Sequence, residues 1–297
     1  MLTAEELKVM AKDLGFDACL IIPAQWAADC PEGMETLVLL LKRYQGQKLP
    51  DKSFAAIHPY YFASQKAYQT TKEMAAELKQ MGEPALQDPE MKLIPLCSHL
   101  NCFKLGKNSL LYYEDWGSRF HIQVIALRNR LQYDQSIYRI ESVMDVCKEC
   151  MRCQNACPTN AISQCGVDGL KCLREHMLAG KGTPEIYRSV MRNRLIGCDN
   201  CQAACPMNEK PHDPVFQETI PTSELLPPNK ETMRMLAENV GANLAISNRI
   251  CAQACLIAGN SGDRTYTPLL ENLTGHPSAA VAESAKWAIK CIIETNK

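Results

Sequence analysis

This chain of 297 residues lacks any apolar run long enough to cross a bilayer; Leu37-Val-Leu-Leu-Leu41 has the length of a buried strand. It also lacks a charge surplus. Lys and Arg total 32 against 33 Asp and Glu, a net charge of −1, so no global field draws the protein to nucleic acid, and only a local basic patch would serve an RNA partner. The opening Met1-Leu-Thr-Ala-Glu-Glu6 has no apolar signal segment, so the expected location is the cytoplasm, where reducing conditions exclude disulfides. Cysteine, by contrast, is abundant: 16 residues, far more than packing needs.

Half of those cysteines fall in or near two runs, Cys147-x2-Cys150-x2-Cys153-x3-Cys157-Pro158 and Cys198-x2-Cys201-x3-Cys205-Pro206. The first is the bacterial run for a pair of cubane iron–sulfur clusters, in which the fourth cysteine ligates the other cluster. Three cysteines spaced by two wrap one side of a cubane and leave its last corner to a ligand from elsewhere. A residue before proline is held extended, so Cys157 and Cys205 point away from their own loops. The pattern predicts a crosswise set: Cys147, Cys150, Cys153 and Cys205 on one [4Fe-4S] cluster, and Cys157, Cys172, Cys198 and Cys201 on the other. Cys165 stands close enough in sequence to replace Cys172, and both stay open. Structural zinc takes paired C-x2-C knuckles or cysteine–histidine sets, which these triple runs are not. The other eight cysteines, Cys251 and Cys255 among them, are expected as small buried residues. Clusters of this kind carry single electrons.

The rest of the chain reads as α+β in three parts. In residues 1–139, Thr3-x-x-Glu6 is a capping box opening a helix that Gly15 ends. Ala18–Ile22, Glu35–Leu41 and His121–Leu127 read as strands, and about Tyr60 to Met81 as a long helix stopped by Gly82. This alternation indicates an α/β layer domain. Residues 140–214 form a ferredoxin-like domain for the two clusters. A helix is expected there over Glu185–Leu195, with Arg188, Arg192 and Arg194 on a solvated face or else offsetting the negative charge of the clusters or docking a partner. After a Pro-rich connector, residues 215–297 are helical and similar to a HEAT repeat, with Gly259-Asn-Ser-Gly-Asp263 as the turn.

Four features together resemble the epoxyqueuosine reductase family over nearly the whole chain. They are Ala11-Lys-Asp-Leu-Gly-Phe-Asp17; Leu105-Gly-Lys-Asn-Ser-Leu-Leu111 followed by Tyr113-Glu-Asp-Trp-Gly-Ser-Arg119; the cysteine runs with a cysteine at position 172; and the helical tail. The resemblance implies an N-terminal cobalamin-type domain in which a corrinoid, reduced through the clusters, drives a reductive deoxygenation. It implies corrinoid contacts from Gly106, Lys107 and Asn108 and from Gly117, Ser118 and Arg119. It also implies an acidic proton donor upstream of a Gly-Leu-Gly run. This chain has Asn101-Cys102-Phe103 at that run, and Asp88 stands near the donor spacing, in an Asp-Pro pair that also suits a turn. His99 and Tyr112 are further proton sources.

The expected substrate is the epoxide of a modified tRNA base or a different small molecule, and the expected donor is a low-potential ferredoxin or flavodoxin type. Two alternatives remain. One is a ferredoxin-like electron carrier without corrinoid that serves a partner enzyme; the other is a binding adaptor with largely structural clusters.

Overall fold

The computed structural model describes residues 2–113, 116–134, 144–178, 182–209 and 219–295. Its first elements are α1 (Ala4–Asp13), β1 (Ala18–Pro23), β2 (Thr36–Arg43), β3 (Phe54–Ile57), α2 (Pro59–Gln80), β4 (Ala85–Gln87), α3 (Leu93–Ser98), β5 (Phe103–Leu105), β6 (Leu111–Tyr113) and β7 (Phe120–Leu127). The cysteine-rich stretch follows with α4 (Asp145–Lys148), α5 (Arg152–Ala156), β8 (Ile162–Ser163), β9 (Gly166–Val167), α6 (Leu173–Leu178), α7 (Glu185–Arg188), β10 (Arg194–Ile196) and α8 (Asn200–Ala203). Then come β11 (Thr219–Pro221), α9 (Lys230–Val240), α10 (Ser247–Ser261), α11 (Thr267–Leu273) and α12 (Ala279–Thr295). The chain divides into two compact units. One comprises Met1–Gln45, Phe62–Cys150 and Cys205–Pro211; the other comprises Gly46–Tyr61, Met151–Ala204 and His212–Lys297. The boundaries expected at 139/140 and 214/215 lie outside the described residues.

In the first unit the capping box forms as expected. The Thr3 hydroxyl accepts the Glu6 N–H at 3.2 Å, and the Glu6 carboxylate accepts the Thr3 N–H at 2.8 Å. Gly15, at φ +86°, ends the helix. The central sheet has the order β1-β2-β7-β4, antiparallel throughout, with Leu39 between Leu20 and Val124. Its alternation sorts two cores. Leu37, Leu39, Leu41, Ile122 and Val124 face one side with Leu96 of α3, Phe103 of β5 and Tyr113 of β6. Val38, Leu40, Ile125 and Leu127 face the other with Leu7 and Ala11 of α1 and Met74 and Leu78 of α2. A strand covered on both faces needs no polar alternation, which accounts for the unbroken leucine run of β2.

In the second unit three segments distant in sequence form one sheet: β3 lies between β10, parallel, and β11, antiparallel. The helix expected over Glu185–Leu195 is shorter than its sequence suggests. α7 stops at Arg188, Arg192 takes φ +55°, and Arg194 opens a strand. Two longer-range demands end the helix. Asn260 donates its side-chain amide to the Arg188 and Arg192 carbonyls, and Arg194 pairs with Ala56 of β3. Arg194 is therefore buried at 4% exposure, not on a solvated face.

The helical tail packs α10 on α12, with Cys251 and Cys255 buried in α10. Their approach passes through Gly259, where a Cβ would lie 2.7 Å from the Cα of Ala288. Gly259→Val should cost about 1–3 kcal/mol of stability through overpacking. Gly275→Ala, where an added Cβ meets nothing within 4 Å, should leave the urea midpoint where it is.

His121 in β7 gives a second test. Burial holds its pKa down to about 4, below the ordinary 6.5. The unfolded chain then binds the extra proton first, so this residue's contribution is full above pH 6.5 and is lost as pH falls toward 4. The loss should amount to about 3 kcal/mol, and His121→Gln should flatten that part of the stability–pH curve.

Candidate metal centre

Each unit gathers part of the cysteine set. In the first, Cys205 and Cys147 share a small apolar cluster with Tyr112, Met144, Leu110 and Met207. Cys205 is extended at φ −82°, ψ 123°, and Cys157 at φ −79°, ψ 111°, as residues before proline should be.

The hairpin of β5 and β6 and the turn before β7 fasten this cysteine-bearing chain. The Lys107 ammonium, buried at 3% exposure, donates to the carbonyl oxygens of Lys148 at 3.3 Å and Cys150 at 3.1 Å. The Asn108 amide donates to the Tyr112 hydroxyl at 3.1 Å, and that hydroxyl donates to Cys205 Sγ at 3.2 Å. Gly106 makes room for this: a Cβ there would sit 2.5 Å from Cε2 of the Tyr112 ring. On the far side of the hairpin, the Asn208 side-chain oxygen accepts the Ser118 N–H at 2.8 Å, and the Arg119 guanidinium donates to the Asn208 carbonyl at 3.3 Å. Gly117, at φ +72°, lies so near that a Cβ would fall 2.1 Å from the same Asn208 oxygen. All six residues assigned to a corrinoid by resemblance thus converge on Cys150, on Cys205 and on the turn that follows it.

In the second unit, burial raises the pKa of the Cys201 thiol, and Cys198, Cys172, Cys153 and Cys157 raise it further. These four cysteines therefore lie within electrostatic reach of Cys201. Cys165 is exposed and is not among them. Crowded buried thiols resist ionisation in water's absence and are held as thiolates by a metal centre. Cys157 Sγ also accepts the Ala161 N–H at 3.3 Å. Burial raises the Cys198 thiol too, with Arg194 acting against it. The Arg194 guanidinium donates to Asn200 Oδ1 at 2.6 Å, yet its buried Nε and Nη1 have no hydrogen-bond partner among the described residues. Unsatisfied buried N–H groups beside a cysteine set suit a cluster, whose sulfurs accept such bonds. Cys153, expected with Cys147 and Cys150, falls in the second unit.

Among the described residues no three or more His, Cys, Asp or Glu converge on a single metal ion; the thiolates of a cubane are spread over four irons. A 680 Å³ cavity in the second unit is lined by Ala156, Pro158, Asn200 and Ala203, the chain neighbours of Cys157 and Cys201, and by Arg192.

Of the proton sources, Asp88 stands exposed just after β4 at φ +47°, its N–H bonded to Val124 O at 2.8 Å. Partial burial raises its carboxyl pKa. His99 caps α3. Burial, and then Cys205, raise the pKa of the Tyr112 phenol. Asn208 carries no local sequence signal for the role it takes. Tyr112 has one, its place after a Gly-Lys-Asn turn, but its thiol partner lies 93 residues on.

Residues 146–208 match the model of the 4Fe-4S double cluster binding domain, so the protein is of the two-cluster iron–sulfur class. Among curated proteins, the epoxyqueuosine reductase of Listeria monocytogenes is 31% identical over 199 residues, covering 63% of this chain and 50% of that protein. The chain thus spans about half the length of that relative. Among solved structures, the epoxyqueuosine reductase of Streptococcus thermophilus superposes with a TM-score of 0.79 at 16% identity, over 99% of this chain and 91% of that one. An epoxyqueuosine reductase with an epoxyqueuosine-modified tRNA-Tyr stem loop gives 0.79 at 17% identity, over 97% and 89%. The likeness is thus to epoxyqueuosine reductases, in sequence over about half of their length and in fold over nearly all of it. Among the described residues no helix is long and apolar enough to cross a membrane.

Asn208→Ala should loosen the turn after Cys205 while leaving the sheet intact. Anaerobically reconstituted protein should then hold fewer than the roughly eight irons of two cubanes, with an unchanged far-ultraviolet circular dichroism spectrum.

Proposed function

We propose that this chain is a cytoplasmic iron–sulfur reductase that passes single electrons through two [4Fe-4S] clusters toward the reductive deoxygenation of a substrate. The observation that carries the reading is the sharing of thiols across the two cysteine runs. Cys205, from the second run, packs with Cys147 of the first, while Cys157, from the first, acts on Cys201 of the second. Both contacts support a crosswise pair, in which each cluster is tied to both runs. The substrate class is the epoxide of epoxyqueuosine in tRNA or a chemically similar small molecule, in keeping with relatives named for that activity and one solved with a modified tRNA stem loop.

The six residues that resemblance assigns to a corrinoid do not fit that task directly. The Lys107 and Arg119 side chains and the Ser118 N–H are bonded to the cysteine-bearing segments, the Asn108 side chain to Tyr112, and both glycines lie against neighbouring side chains. A corrinoid bound by the N-terminal unit would take its polar contacts from other residues, and no step of this proposal runs through one. Asp88 is the acidic candidate for quenching the product, since a raised carboxyl pKa favours a proton donor. The HEAT-like tail would serve as a docking side for the substrate-bearing partner. The second reading, an electron carrier for a partner enzyme, draws support from the same commitment of the six residues and from the cavity beside Cys157 and Cys201. There a ferredoxin- or flavodoxin-type donor would approach.

Two experiments decide between these. Cys157→Ala should damage the cluster of Cys198 and Cys201, and Cys205→Ala that of Cys147 and Cys150; spectroscopy showing the reverse pairing would end the crosswise model. Reduced two-cluster protein, with cobalamin added, should deoxygenate an epoxyqueuosine-bearing tRNA stem loop if the reductase reading holds. Reduced clusters that pass electrons to a redox protein but not to that substrate would leave the carrier.

A further inference from the structure

We propose that Tyr112 is a positioning residue that sets the reduction potential of the cluster ligated by Cys205, through its hydroxyl-to-sulfur hydrogen bond. The inference rests on Cys205 being a cluster ligand. The Tyr112 hydroxyl donates to Cys205 Sγ at 3.2 Å while accepting from the Asn108 amide at 3.1 Å; Asn108 Oδ1, at 3.4 Å, is a longer second acceptor, so the proton favours the sulfur. Both ends are shielded. Tyr112 is 3% exposed, Cys205 is 9% exposed, and the groups packed round them are Met144, Met207 and Leu110. Little water competes for the sulfur, and a hydrogen bond to an ionised group gains strength in such surroundings.

The electrochemical consequence follows from charge. An electron added to the cluster spreads negative charge onto its thiolate ligands. A donor held at one of those sulfurs then bonds the reduced state more strongly than the oxidised one, which raises the potential. Phenylalanine keeps the ring, its packing under Gly106 and its apolar contacts, and removes the donor to sulfur together with the acceptor for the Asn108 amide. The Gly106-Lys107-Asn108 turn thereby acquires a task within this unit: Gly106 admits the ring, Asn108 aims the hydroxyl, and Lys107 ties the Cys150 loop beside it.

The test uses the full chain with both clusters reconstituted anaerobically, titrated electrochemically and followed by electron paramagnetic resonance. Cys205→Ala first identifies which of the two reduction steps belongs to its cluster. Tyr112→Phe should shift that step to a more negative potential, leave the other in place and keep the iron content of the unsubstituted protein. A fluorinated tyrosine at position 112, a stronger donor of nearly the same shape, should shift the same step the opposite way. If Cys205→Ala leaves both clusters intact, the ligand assignment fails, and the tyrosine inference with it. If Cys205→Ala removes one cluster but neither change at Tyr112 moves the remaining protein's matching step, the tyrosine inference alone is overturned. Should phenylalanine cost the cluster, the fluorotyrosine protein decides, and an unmoved step refutes the proposal.

Discussion

Everything at the candidate centre depends on fixing thiol-bearing loops that have almost no regular structure of their own. α4 and α8 have four residues each and α5 has five, too short to persist without outside support. In the first unit that support comes from the sheet. β7 is buried on both faces and cannot shift without repacking two cores, and the β5–β6 hairpin packs on one of them through Phe103 and Tyr113. From this rigid base Lys107, Tyr112 and Ser118 reach out to Cys150, Cys205 and Asn208. The burial that makes the sheet firm also makes those bonds consequential, since each joins groups removed from water.

The local parts of the fold were legible because their causes are local. A capping box, a glycine stop and an unbroken leucine run act within a few residues, and α1, α2, β1, β2 and β7 lie where the pattern puts them. The Glu185–Leu195 segment defeats the same logic. Its composition favours a helix, but Asn260 and β3, more than 60 residues away on either side, supply partners that the helix cannot use. Tertiary bonds of this reach override a propensity worth tenths of a kcal/mol per residue. The same distance hid the task of the Gly106–Asn108 turn. A glycine beside a lysine and an asparagine suggests a ligand cradle, yet Asn108 bonds Tyr112 and Lys107 bonds carbonyls 41 and 43 residues along the chain, on a cysteine loop.

The cysteine pattern was readable for a different reason. Spacing by two residues and a closing proline are geometric demands of a cubane, and they leave the same mark wherever such a cluster is held. What spacing cannot convey is the surroundings of each sulfur, which set its electronic character. Those surroundings differ between the two sets. Cys205 meets a neutral phenol in an apolar nest, whereas Cys198 lies near the fixed charge of Arg194.

That contrast bears on how a two-cluster protein gives electrons a direction. Identical cubanes in identical surroundings would share an electron equally, and transfer would have no preferred sense. A buried guanidinium stabilises the reduced cluster more than one neutral hydroxyl does, because a full charge acts over distance as well as through a bond. Nε and Nη1 of Arg194, buried with no hydrogen-bond partner among the described residues, sharpen the point. A cluster held by Cys157, Cys172, Cys198 and Cys201 would satisfy them, and in doing so would join charge and hydrogen bonding on the same centre. On that argument a cluster beside Arg194 would favour its reduced state more than one at Cys205 would, so the surroundings of each sulfur, and not the cysteine motifs they share, would distinguish the two.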